Sequence, residues 1–241
     1  MVNLGWSNFL TGRYAEAITT LQDVSNRNAT FPFVHTFLAA SYLGQWLAQL
    51  SPAGQTLEPA MAEIQQAMAL NDAIFLNHLF WGEILLFQHQ YGQALAEMER
   101  AVTLEPTVAE SSAALALVLT YVGKTDGALQ AIDQALRLKP THPDVHLGDV
   151  GGAYALARHY EEAREALQRF LSHYPNLLPA HLTLAMVDSE LGQEAEARKE
   201  VAEVLRLNPK FSLEVHKQRM PIKDPTVLER HIAALRKAGL K

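Results

Sequence analysis

The chain has no cysteine, so it can build neither a disulfide nor a thiolate metal site. It also has no apolar run near the ~18–20 residues that a membrane span needs, and no membrane partner is expected. Basic charge is short as well. With 20 Lys and Arg against 26 Asp and Glu, the net charge is −6, which argues against nucleic acid as the main ligand. The N-terminal stretch MVNLGWSNFLTGRY has no basic region ahead of an apolar one. No signal peptide is visible there, and a cytoplasmic location is expected.

Catalytic signatures are missing too. There is no GxSxG elbow, HExxH, P-loop or Rossmann glycine pattern. No enzymatic activity and no cofactor are therefore expected. Gly148, Gly151 and Gly152 cluster without a preceding strand and read as sites of close helix packing. Among ten histidines only His142 and His146, near Asp144, show an i, i+4 spacing that a metal could use. Pro140 and Pro143 flank the first of them and a further ligand is needed, so no metal site is expected. Glu161, Glu162 and Glu165 read as a solvated helix face.

What is present is a ruler. Trp81-Gly82, Tyr91, Ala94, Met98, Ala101 and Pro106 are matched 34 residues later by Leu115-Ala116, Thr125, Ala128, Ile132, Ala135 and Pro140. Both copies close on similar phrases, ERAVTLEP and DQALRLKP. Small residues at Gly82, Ala94 and Ala101 let two helices approach, while Trp81, Leu85 and Met98 fill the seam at helical spacing. Pro106 and Pro140 each stop one unit. The pattern resembles the tetratricopeptide repeat, a helix–turn–helix unit of 34 residues.

The ruler extends both ways. Repeats are expected at about 1–31, 32–74, 75–108, 109–142, 144–177 and 178–211, with an insertion at 51–60 marked by Pro52, Gly54 and Pro59. The first helix starts short, which reads as a piece of a longer chain. The resemblance implies an all-α, right-handed superhelical solenoid of about six repeats, in which each unit buries its face only against neighbours. Apolar content of 49% and charged content of 19% suit such a fold.

From Phe211 the ruler fails. Residues 212–241 are expected to form C-terminal capping helices, with Asp224 as N-cap, Pro225 at the first helical position and Gly239 just past the end. This tail, through Asn208-Pro209, Phe211 to Glu214, Lys223 to Pro225, Leu228 to Arg230 and Leu235 to Leu240, resembles the C-terminus of bacterial signalling proteins. In those, tetratricopeptide repeats follow a class III adenylate or guanylate cyclase domain or a winged-helix domain.

The family resemblance also implies a concave groove lined by the first helix of each unit. Carried over position by position, it nominates Trp6, Phe9, Phe33, Leu79, Glu83, Phe87, Leu117, Tyr121, Leu182 and Met186 as peptide-binding residues. The set holds no Lys, Arg or Asn, so it offers no cationic clamp for a carboxylate. An apolar or amphipathic protein segment is the expected partner, with Glu83 and Glu110 favouring basic residues in it. Alternatives remain: the groove is covered by the protein's own chain, or the module is a homodimer that pairs upstream domains.

Overall fold

The computed structural model describes residues 1–51, 57–138, 140, 142 and 144–241. Among these it is all-α, with fourteen helices and no strand. Twelve fall into consecutive pairs: α1 (Val2–Leu10) with α2 (Tyr14–Arg27), α3 (Pro32–Leu47) with α4 (Glu58–Leu70), and α5 (Phe75–Phe87) with α6 (Tyr91–Leu104). The others are α7 (Ala109–Tyr121) with α8 (Thr125–Arg137), α9 (Leu147–Leu156) with α10 (Tyr160–His173), and α11 (Leu178–Glu190) with α12 (Glu194–Leu207). Two more close the chain, α13 (Leu213–Arg219) and α14 (Pro225–Ala238). Of the expected insertion at 51–60, residues 52–56, with Pro52 and Gly54, lie outside the described residues. Pro59 falls in the first turn of α4 and so belongs to the helix, where its missing N–H has no intrahelical partner to lose.

One small residue facing one large one sets the distance within every pair. In register along the chain these are Gly5 and Leu21, Ala39 and Ile64, Gly82 and Met98, Ala116 and Ile132, Gly151 and Leu167, Ala185 and Val201. All are buried. The volumes compensate. Glycine faces an unbranched-at-Cβ Leu or Met, whose tip reaches across the seam: a Cβ on Gly151 would lie 2.6 Å from Leu167 Cγ, and one on Gly82 would lie 3.0 Å from Met98 Cε. Alanine faces Ile or Val, whose bulk stays near its own helix and leaves room for a methyl group.

The turn inside each pair repeats as well. Gly12, Gln49, His89, Gly123, Arg158 and Gly192 all have φ between 56° and 82°. Three of these are not glycine and carry the cost of a left-handed backbone.

Three pairs also share a polar clamp. His35, His78 and His181, at one register position, point Nδ1 at Glu63, Glu97 and Glu200, at 2.7, 2.6 and 2.5 Å. Their Nε2 atoms meet the carbonyls of Ala29, Asp72 and Pro175 at 2.9, 2.6 and 3.0 Å. At His181 the carboxylate and the carbonyl both accept, so the charged imidazolium satisfies both sides. For His181 burial opposes that charge, but the Glu200 carboxylate and the Pro175 carbonyl outweigh it and leave the pKa raised. Where the histidine is replaced, the acid is replaced too: Ser112 faces Ala131 in the fourth pair and Leu147 faces Ala166 in the fifth.

The core runs through the pairs and then meets itself. Leu10 and Tyr14 of the first pair join one buried cluster with residues of α9, α10 and α11. The turn at Gly12 sits against the chain at Asn176, where a Cβ would overlap the Asn176 carbonyl oxygen. The array therefore curves until its first turn touches the junction of the fifth and sixth pairs. Helix α14 covers α11 and α12, capped by Asp224 accepting from Thr226 N and closed by Gly239 at φ 114°.

Two outcomes test this reading. Gly151→Ala is expected to cost about 1–3 kcal/mol by overpacking. Adding Leu167→Ile recreates the Ala–Ile pairing of the second and fourth pairs and should recover most of that loss in urea unfolding. Additive losses would show that the seam does not set the helix spacing. The second outcome concerns pH. A histidine with a raised native pKa stabilises the fold below its unfolded value of 6.5, and the contribution is lost as pH rises through the native value. Replacing His181 and Glu200 by Leu and Ala, the pair found at Leu147 and Ala166, should therefore flatten the decline of stability as pH rises above 6.5. An unchanged slope with pH would mean that the His181 ring is neutral.

Candidate functional site

Because the array curves back on itself, the first helices of all six pairs look inward onto one space, a cavity of about 250 Å³. Phe9 enters from α1, Ala40 and Leu43 from α3, Glu83 and Phe87 from α5, and Leu117 and Tyr121 from α7. Asp149 and Gly152 come from α9, and Leu182 and Met186 from α11. Gly152 permits the approach of α7, since a Cβ there would press on Leu117 Cδ1 at 3.0 Å.

The segment after α12 crosses the mouth of this space. Asn208 Nδ2 donates to the Ala48 carbonyl at 3.0 Å. Gln49 holds Ser212 on both sides, Nε2 donating to its carbonyl at 2.9 Å and Oε1 accepting from its amide at 3.0 Å. Further on, the Arg219 guanidinium lies 4.3 Å over the Trp46 ring and donates to the Trp46 carbonyl. Lys223 N then donates to the Tyr121 carbonyl at 3.0 Å. The tail thus reaches from the sixth pair back to the second and fourth, and His216, Arg219, Met220 and His231 complete the cavity wall.

Of the residues nominated from the sequence, Phe9, Glu83, Phe87, Leu117, Tyr121, Leu182 and Met186 line the cavity. Trp6 lies beside it in an aromatic stack, with ring centroids 4.8 Å from Phe9 and 4.6 Å from Phe37. Phe33 packs at the outer end of that stack against Phe31 and Phe37. Leu79 is buried in the core between helices, 5% exposed. Asp149 and Arg219 were not nominated. Asp149 occupies a register column held elsewhere by Asn3, Phe37, Phe80, Ala114 and Thr183; an acid in that column was the available signal.

Electrostatically the chamber is acidic inside. Glu83 and Asp149 are half-buried and present surface to the empty space. Burial and then the Asp149 charge push the Glu83 pKa well above its usual value. Burial and then the Glu110 charge push Asp149 up to about 7. Tyr121 is raised by burial and by both acids. The bases in the wall do not answer them. His216 and His231 meet through Nε2 at 3.1 Å, and burial holds both neutral, His231 at about 4. Arg219 is committed to Trp46. Among the described residues no group of three or more His, Asp or Glu is placed to hold a metal ion, and no helix is long and apolar enough to cross a membrane.

Family models described as tetratricopeptide repeat match residues 1–29, 81–143, 113–177 and 154–217, together more than half of the chain. No curated protein sequence matches it. Among solved structures, a chain of the APC/C hetero-tetramer Cut9–Hcn1 superposes with a TM-score of 0.59 at 17% identity, covering 91% of this chain and 42% of that one. The chain therefore spans less than half the length of that neighbour. The type IV pilus biogenesis factor PilW gives a TM-score of 0.52 at 20% identity, covering 85% and 92%. PilF of Pseudomonas aeruginosa gives 0.48 at 19%, covering 90% and 93%. At these identities the likeness is one of fold.

The acids make the site a cost to the fold, with a definite sign. A carboxyl whose native pKa is raised from 3.8 to about 7 keeps its proton longer when folded, so stability falls as pH rises between those values. Asp149→Asn is expected to stabilise the chain by about 2 kcal/mol at about pH 8 and to flatten that decline. Thermal unfolding that is indifferent to the substitution would mean that Asp149 is solvated.

Proposed function

We propose that this chain, a tetratricopeptide repeat protein, is a non-catalytic protein-interaction module whose inner chamber receives an anchor side chain from an apolar or amphipathic partner segment. The observation that carries this reading is the convergence of six helices on one mostly apolar space with a few polar groups, the usual form of a recognition pocket. Fold alone hosts many functions, so the reading rests on the chamber. Its volume, about 250 Å³, suits one or two anchoring side chains and not a whole helix laid in an open groove, because the tail from Asn208 to Lys223 already lies across the mouth. Anchors of this kind supply most of the binding energy in small interfaces. In keeping with the resemblance of its tail, we place the module at the C-terminal end of a bacterial signalling protein.

The test is a screen of amphipathic peptides followed by methyl NMR mapping. Binders should perturb Leu117, Leu182 and Met186. Phe87→Glu, at a half-buried position beside Trp46 with ring centroids 5.8 Å apart, should weaken them at least tenfold while the melting temperature moves by only a few degrees. Footprints confined to the outer helices α4, α6 and α8 would overturn the reading.

A further inference from the structure

We propose that the chamber selects an organic cation, an ammonium or guanidinium on an apolar body of about ten non-hydrogen atoms, held between Glu83 and Asp149. This rests on the chamber being a binding site and names the chemistry of what enters it.

Three observations converge. First, Glu83 from α5 and Asp149 from α9 both face the cavity, are within electrostatic reach of each other, and have no hydrogen-bond donor or ion-pair partner among the described residues. Buried acids normally find such partners. The contrast within this molecule is direct, because Asp188, 1% exposed, is held by Arg164 at 2.8 Å. Second, the cavity wall supplies no free positive charge. Arg219 is spent on Trp46, and His216 and His231 are neutral and paired with each other. Third, the remaining wall is apolar: Phe9, Phe87, Leu117, Leu182 and Met186 surround the acids. A cavity of about 150 Å³ takes a benzene ring, so about 250 Å³ leaves room for a ring or short alkyl chain together with its charged end. Such a ligand puts its apolar body against the wall and its charge against the acids, replacing the proton that the empty site must keep. A carboxylate or phosphate is repelled by the same pair.

The probes are 2-phenylethylammonium and its neutral isostere 2-phenylethanol, titrated calorimetrically into the intact chain near neutral pH. The cation is expected to bind at least tenfold tighter. In the Glu83→Gln, Asp149→Asn double variant, which loses a repulsive pair and stays folded, the preference should vanish while the alcohol binds as before. Equal affinities in the unsubstituted chain, or a preference that survives in the double variant, overturns the proposal but leaves the chamber as an apolar site. Binding of neither probe overturns the chamber reading itself. A blocked leucine–lysine–leucine peptide separates the two sources of such a cation. Tighter binding than the free amine assigns the charge to a partner's side chain, and weaker binding assigns it to a small amine. Both results support the cation.

Discussion

The distance between the two helices of each pair is the quantity from which the rest of the molecule follows. A glycine facing Leu or Met, or an alanine facing Ile or Val, divides a total volume that agrees to within one methyl group across one seam. Interiors pack at crystal-like density and resist change by even one methylene. Keeping that sum within one methyl group through six pairs therefore keeps the units close to one shape. Identical units stacked with a constant offset must curve. Here the curve brings the turn at Gly12 onto Asn176, so a local volume rule produces an inner space that no single repeat contains.

That space explains residues that local packing does not. The buried histidines at 35, 78 and 181 have acceptors on both ring nitrogens. Their loss in the fourth and fifth pairs, together with the opposing glutamate, shows that the clamp is kept or dropped as a unit. Half of it would leave a buried charge uncompensated. Glu83 and Asp149 break this rule in the middle of the molecule. Burial raises the proton affinity of both, with Asp149 adding to it at Glu83 and Glu110 at Asp149; they gain no donor and lower stability above the pH at which they ionise. Two acids left facing a cavity without donors carry strain of the kind that collects at functional sites.

How much of this was legible depends on which direction the sequence is read. Along the chain, period and punctuation expose the helices: Gly82, Ala94 and Met98 mark the seam, and Asp224, Pro225 and Gly239 bound the last helix. Down the register columns, the small–large pairing and the histidine–glutamate clamp are also present in the sequence, but only once the nine-residue offset in the second unit is removed. Cavity-lining positions such as Phe87, Leu117 and Met186 could be named because their column faces inward. The closure could not be read. It depends on summed curvature and on contacts between residues about 160 apart, such as Asn208 with Ala48. Asp149 was missed for the opposite reason: one acid in a column of Asn, Phe, Ala and Thr has no repeat to announce it.

The tail ties the sixth pair back to the second and fourth. It contacts Ala48 and Gln49 on one side and Trp46 and Tyr121 on the other, and its middle packs on α14, where His216 meets His231 and Lys217 pairs with Glu229 at 2.6 Å. Between them α13 has only seven residues, too short for an isolated helix to hold in water. Helix α14, by contrast, is anchored on α11 and α12 through buried Ile232 and Leu235. The segment from Ser212 to Asp224 therefore takes its shape from tertiary contacts, burying Leu213, Pro221 and Ile222. The six pairs fix the shape of the chamber, and the tail completes its wall with His216, Arg219 and Met220.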